Sequence, residues 1–256
     1  MSNAQPPTGL AIVTGTSAGI GQHVATLLLE RGWEVVGLAR RSTPVVHQHY
    51  HHLATDLRDP NALDALITDR IEPLLRDGRW ARIGLVNNAA ATDQLGPIQR
   101  ATAISLGGTL AVNTVAPIAL MSAVSRVTPQ STPIRVVNVS SGAATIAFPG
   151  LGPYCASKAA LRMAGMVLAE EWKSDAPQAP SRTDAGILSY EPGIVDTEMQ
   201  VDARSQDPTV FPWVGVFETF HANGLLVTPS LPAGEIVAYL GAEVVAPFSE
   251  SRLGVA

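Results

Sequence analysis

Twelve residues near the N-terminus, Leu10 to Gly21 (LAIVTGTSAGIG), restrict the fold more than any other part of the chain. The apolar run Leu10 to Val13 reads as a buried parallel strand. Gly15, Thr16, Ser17, Ala18, Gly19, Ile20 and Gly21 follow, and a helix-like run takes over from Gln22 to Arg31. A strand, a glycine-rich turn and a helix N-terminus in this order aim backbone N–H groups and the positive end of a helix dipole at one point, which suits an anion. Gly15 permits the tight turn, Gly19 a close approach of backbone to a pyrophosphate, and Gly21 close helix–strand packing. The spacing is G-x-x-x-G-x-G rather than the commoner G-x-G-x-x-G. Its place at the first strand-to-helix junction therefore carries as much weight as its letters.

The rest of the chain alternates between the two patterns. Strand-like runs are Trp33–Ala39, Tyr50–Thr55, Ile83–Val86, Ile134–Val139 and Gly186–Tyr190. Helix-like runs are Asp59-Pro60 to Arg76, with aspartate at the cap and proline at the first position, Ala101 to Val127, and Tyr154 to Trp172. Such alternation implies a doubly wound parallel sheet with helices on both faces. Two segments break the rhythm. Lys173 to Asp184 reads as an exposed, proline-rich polar insertion, and the chain from Val195 onward reads as irregular. Within it, Phe211, Trp213, Phe217 and Phe220 crowd together although aromatics make up only 5% of the chain. They read as a small satellite core, as an apolar cover on a substrate pocket, or as both.

Composition narrows the function. The 256 residues carry a formal net charge of -5 and no basic run beyond Arg40-Arg41, which argues against a nucleic-acid surface. No stretch approaches twenty uninterrupted apolar residues, so no membrane span is expected. Residues 1–9 are expected to form a polar, flexible tail without the apolar centre of a signal peptide, ahead of a single domain over residues 10–256. One cysteine leaves no intramolecular disulfide framework and fits a reducing, cytoplasmic setting.

In an open parallel sheet, ligands bind beyond the carboxyl ends of the strands. After the second strand stand Arg40 and Arg41, where an acidic residue would bind the ribose 2′-hydroxyl of NAD. Guanidiniums there suit a 2′-phosphate and so favour NADP. Asp56 and Leu57 follow the third strand, with Asp56 placed for an adenine amino group or as a turn cap. Asn87, Asn88, Ala89 and Ala90 follow the fourth, with small and amide side chains that can lie against a flat cofactor. Ser140 and Ser141 follow the fifth. Tyr154 and Lys158, four apart, share a helix face. An ammonium beside a phenol lowers its pKa from about 10, fitting it for general acid or base work on a carbonyl/alcohol pair.

Taken together, Thr14 to Gly21, Asn87-Asn88-Ala89-Ala90, Asn113, Ser141, Tyr154-x-x-x-Lys158 and Pro192-Gly193 stand in the order and spacing of one family. Over roughly residues 9 to 200 the chain resembles the short-chain dehydrogenase/reductases. Ser141 is preferred to Ser140 because the family's serine lies thirteen residues before its tyrosine. The resemblance implies a single-domain Rossmann-type α/β fold and an NADP(H)-dependent oxidoreductase. It implies that Tyr154 donates the proton, that Lys158 lowers the tyrosine's pKa and holds the nicotinamide ribose, and that Ser141 hydrogen-bonds the substrate oxygen. Asn113 would hold a water linking Lys158 to solvent, and Pro192, Gly193, Val195 and Thr197 would close over the nicotinamide and its phosphates. Relatives pair as homodimers or homotetramers through the two long helices.

A narrower likeness concerns Ser189 to Gln200, SYEPGIVDTEMQ, which is similar to sepiapterin and benzil reductases and implies a small ketone or 1,2-diketone substrate, apolar or aromatic, held by a loop over about 195–230. The alternatives are an NAD-linked alcohol dehydrogenase of hydroxysteroid or sugar-alcohol type and a non-catalytic dinucleotide-binding regulatory protein. Two departures stand out: Ala18 replaces a basic residue frequent in NADP-using relatives, and Glu243 to Ala256 matches the family's last strand poorly. His47, His49, His51 and His52 lack the further ligands of a zinc site, so no metal is expected. Cys155 reads as a small packed side chain and His221 as a loop residue.

Overall fold

A computed structural model of the chain describes residues 8–174 and 181–254. Seven parallel strands form one sheet in the order β3-β2-β1-β4-β5-β6-β7: β1 Leu10–Thr14, β2 Glu34–Ala39, β3 Tyr50–Ala54, β4 Ile83–Asn87, β5 Ile134–Val139, β6 Ala185–Glu191 and β7 Phe248–Arg252. The six expected strands fall within a residue or two of their sequence limits. The central strands β1, β4 and β5 are buried along their whole length, as continuous apolar runs require.

Helices cover both faces. On one lie α1 (Gly19–Glu30) and α9 (Ser230–Gly241), which pack Val24, Leu28, Ile236 and Leu240 over Ala11, Val13 and Val137. The other carries α2 (Pro60–Leu66), α3 (Glu72–Arg76), α4 (Ala103–Leu110), α5 (Ala116–Val127) and α6 (Gly152–Glu171). Their Leu63, Leu75, Ala116, Leu120 and Leu161, with Ile71 just ahead of α3, close over Ile12, Leu85 and Val136. Asp59 caps α2 as expected, accepting hydrogen bonds at 3.0 Å from the N–H groups of Asn61 and Ala62.

Two of the three expected helical runs are interrupted, at Ile67–Ile71 and at Ala111–Val115, by a wider π-turn. Each stands just before a proline in the next helix, Pro73 or Pro117. Proline has no N–H for the carbonyl four residues back and its ring crowds that carbonyl, so the chain widens there. The helical stretch Ala103–Val127 is long and apolar enough, by length and composition, to cross a membrane, with a hydropathy of 1.6. Here its apolar side, Val112, Ala116, Leu120 and Val124, is buried in the core under the sheet.

The chain beyond Val195 is more regular than its prolines suggest. It holds α7 (Glu198–Arg204), α8 (Val214–Ala222), α9 and β7, correcting the expectation of an irregular tail. Pro232 lies within the first turn of α9, where its missing N–H costs nothing. A parallel bridge between Val195 and Val227 pinches the base of the loop that carries α7 and α8. The poorly matching C-terminus supplies β7, an edge strand beside β6 whose Glu250 pairs with Arg162 through two contacts of 2.7 Å. Of the expected insertion at Lys173 to Asp184, residues 175–180 lie outside the described residues, as do residues 1–7 of the expected tail. Arg182 is held at its end, donating to the Ser125 carbonyl at 2.8 Å.

Candidate active site

The sheet order reverses between β1 and β4, the point at which adjacent strand ends diverge and leave a crevice. A cleft of about 1260 Å³ opens there. It runs from the end of β2, across the glycine turn, to the N-terminal part of α6.

The glycine turn is built for close approach. Gly15 has φ +77 and Gly19 φ +58, in the left-handed region. A Cβ on Gly15 would stand 2.7 Å from Asn88 Nδ2, and one on Gly21 would meet the Gly15 carbonyl. Asn88 Nδ2 donates to the Thr14 carbonyl at 2.9 Å, while Thr14 Oγ1 accepts from the N–H groups of Asn88 and Ala89, each at 2.9 Å. These bonds stitch β1 to β4 at the crevice. Ala18, which caps α1, makes no side-chain capping bond, so the first amides of α1 are left for a ligand in the cleft. Gly15, Ser17, Gly19 and Ile20 line the cleft, as do Asn88, Ala89 and Ala90. Thr16 does not: it is fully buried and its hydroxyl pairs with Tyr50 Oη at 2.8 Å, holding the turn from behind. Gly21 is likewise a packing residue under the turn, outside the cleft lining.

At the β2 end, Arg40, Arg41, Asp56 and Leu57 all reach the cleft. Asp56 accepts the Arg58 N–H at 3.0 Å, the turn-capping bond, while standing on the cleft lining. Arg58 is a lining residue the sequence did not single out; it pairs with Asp93, also on the lining. Arg41 is engaged by Glu198, with Nη1 and Nη2 donating to Oε1 and Oε2 at 3.0 and 2.7 Å. This pair holds the Glu198 carboxyl below its ordinary range. Of the nearby histidines, His49 and His51 both contact Glu34.

At the other end, Tyr154, Lys158 and Ser141 come together on the lining. Lys158 is buried and its Nζ donates to the Val139 carbonyl at 2.7 Å, 5.6 Å from the Tyr154 ring centre. Burial lowers the Lys158 ammonium to about 8. It also raises the Tyr154 phenol to about 12, with a hydrogen bond to Ser141 opposing. The expected lowering of the phenol by Lys158 is not found, and desolvation sets the direction of the shift. Pro192, Gly193, Val195 and Thr197 form the adjoining wall.

Asn113 is not on the lining. It sits in the π-turn, fully buried, and ties β4's exit to α6. Its Oδ1 accepts the Ala91 N–H at 2.7 Å; its Nδ2 donates to the Ala91 carbonyl at 2.9 Å and to Ser157 Oγ at 3.0 Å. Both amide hydrogens are thus spent on protein. Ser157 Oγ in turn donates to the Tyr154 carbonyl at 2.7 Å, which anchors the tyrosine's own turn.

Above Tyr154 the cleft widens under aromatic side chains. Phe148, Phe211, Trp213, Phe217 and Phe220 line it together with Leu151 and Ile146. Phe211 is fully buried and packs with Ala203 and Val214 in a small core of its own. The aromatic cluster is therefore satellite core and pocket wall at once. Phe148 meets Trp213 edge-on at 5.7 Å, fixing the roof by its ring geometry.

A long cleft at the β1/β4 divergence, an uncapped helix N-terminus behind a glycine turn, and Tyr154, Lys158 and Ser141 at one end fit a nicotinamide dinucleotide and an oxidoreductase site. The chain belongs to the short-chain dehydrogenase family, whose sequence model matches residues 9–208. It is 32% identical over 235 residues to a benzil reductase ((S)-benzoin forming) of Bacillus subtilis, covering 90% of this chain and 93% of that protein. It is 31% identical over 225 residues to the sepiapterin reductase of Rattus norvegicus, covering 78% and 79%. Among solved structures, a short-chain dehydrogenase/reductase from Burkholderia vietnamiensis superposes with a TM-score of 0.66 at 29% identity, over 80% of this chain and 94% of that one.

Proposed function

We propose that the chain is an NADPH-dependent carbonyl reductase acting on a ketone or 1,2-diketone with aromatic or apolar substituents. The observation that carries this reading is the grouping of Tyr154 and Ser141 beneath the aromatic roof, at the end of the glycine-turn cleft. The likeness to benzil and sepiapterin reductases supports the substrate class. Gln200, on the same wall, has a buried Oε1 without a hydrogen-bond partner, which suits a substrate with a second polar group.

A reduced nicotinamide held in this cleft would supply the hydride. Gly15, Ser17, Gly19 and Ile20 would hold the pyrophosphate with backbone N–H groups, Arg40 and Arg41 would take the 2′-phosphate, and Asp56 and Leu57 would border the adenine. Ala89, Ala90, Pro192, Gly193, Val195 and Thr197 would enclose the nicotinamide side, and Lys158 would hold its ribose. Ser141 donates a hydrogen bond to the substrate carbonyl oxygen, and Tyr154 donates its proton as charge grows on that oxygen. A phenol raised to about 12 stays protonated at neutral pH, as a proton donor must. Alkoxide is a stronger base than phenolate, so the transfer runs downhill. Asn113 acts by position: it holds Ala91 and the turn of Tyr154, and Pro117 deprives its carbonyl of the N–H four residues on, leaving that oxygen suited to a relay water.

Exposed Ile104, Val115, Ile118, Met163 and Val167 on α4 to α6 and the turn between them support self-association as a homodimer or homotetramer. The single free cysteine, Cys155, goes with a cytoplasmic location. An NAD-linked alcohol dehydrogenase is the second reading, favoured by one observation: Arg41 is already paired with Glu198. NADPH and NADH are compared with benzil, other 1,2-diketones, aromatic ketones and an alcohol panel. Faster NADPH oxidation with diketones supports the first reading; NADH preference with alcohol oxidation supports the second.

A further inference from the structure

We propose that Glu198 determines cofactor selectivity by competing with the cofactor's 2′-phosphate for Arg41. The inference rests on the reading of the β2 end as the 2′-phosphate site and assigns a role to an acid on the opposite wall. Arg41 follows β2, and Glu198 opens α7, 157 residues further on. They meet across the mouth of the cleft in a two-pronged contact that uses both terminal nitrogens of the guanidinium. Thr197, the residue before Glu198, lies against the glycine turn: a Cβ on Gly19 would stand 3.3 Å from its Cγ2. The ion pair therefore bridges the ribose pocket to the segment that passes over the pyrophosphate groove.

The prongs that face Glu198 are those a phosphate needs. A phosphate monoester carries nearly two negative charges at neutral pH, so a 2′-phosphate must either replace the Glu198 carboxylate or stand beside it as a like charge. A cofactor with a free 2′-hydroxyl meets neither cost. Arg40 next door has no acidic partner among the described residues, so the site keeps one unopposed cation. The Arg41 and Glu198 side chains are 61% and 66% exposed, which makes the contact weak enough to exchange. Glu198 thus restrains a preference for NADP without abolishing it. Glu198 itself was not legible in the sequence as a cofactor residue, because its partner Arg41 stands 157 residues away along the chain.

The test is a set of equilibrium titrations at low salt with adenosine 2′,5′-bisphosphate and 5′-AMP, which differ in the 2′-phosphate, alongside NADPH and NADH. The proteins are the parent, Glu198→Gln, Arg41→Ala and the double variant. Glu198→Gln is expected to tighten the bisphosphate and NADPH by about 2- to 5-fold, the scale of an exposed charge contact. AMP and NADH should change less than about twofold, and the gain should vanish in the Arg41→Ala background. Unchanged or weakened binding of the 2′-phosphate ligands in Glu198→Gln, or a gain that survives loss of Arg41, overturns the proposal alone. A parent that binds the bisphosphate no better than AMP, with Arg41→Ala silent, overturns the 2′-phosphate reading and the proposal with it.

Discussion

Replacing Asn113 with alanine removes three hydrogen bonds at a fully buried site, and the structure allows the loss to be sized. The Ala91 N–H and carbonyl both lose their partner in the buried interior, at about 1–3 kcal/mol each. Ser157 Oγ keeps its bond to the Tyr154 carbonyl, so the third loss adds little beyond the small void. The expected destabilisation is about 2–6 kcal/mol, against a total of about 5–15 kcal/mol for a folded domain. Urea unfolding followed by tryptophan fluorescence measures it, compared with Asn113→Asp, whose carboxylate can still accept from Ala91 but cannot donate. A loss under about 1 kcal/mol in Asn113→Ala would refute the reasoning, since it would mean that the two Ala91 groups find other partners.

Two further outcomes follow from the site. The Lys158 ammonium, lowered by burial to about 8, loses its charge as pH rises through that value, so ketone-reduction kcat/KM should be level below it and decline above it. In stability the sign is opposite: the unfolded state binds the extra proton between about 8 and the ordinary lysine value of 10.5, so that group's contribution improves with pH across this window. A flat kcat/KM profile to pH 10 excludes a role for the Lys158 charge. Phe217→Ala, which opens the aromatic roof, should raise KM for a diaryl diketone about tenfold while leaving a small aliphatic diketone nearly unaffected; equal changes in both would place the aryl group elsewhere.

The parts of this fold that could be read from sequence are those where local chemistry and tertiary role agree. Leu10 to Val13 is apolar because β1 is buried on both faces, and the glycines of the turn occupy the left-handed backbone and close contacts that no larger residue fits. Asp59-Pro60 caps its helix by short-range bonding alone. What escaped depends on distant partners. β7 is an edge strand of sequence FSESR, in which Glu250 is polar because it meets Arg162 across 88 residues. Arg41 reads as a free cation until Glu198 arrives from the other side of the cleft. Thr16 lies inside the glycine turn, yet its hydroxyl faces Tyr50 and not the cleft, a choice made by one side-chain torsion. The phenol of Tyr154 shows the same limit: spacing placed Lys158 beside it, whereas burial sets the direction of its pKa.

The central claim is that Tyr154 supplies the proton in a carbonyl reduction. Its most direct test is NADPH oxidation with benzil by the parent and by Tyr154→Phe, with cofactor binding measured in both. The account predicts turnover in the parent, a fall of about 10²- to 10⁴-fold in the variant, and unchanged NADPH affinity. Equal turnover in the two proteins would contradict it.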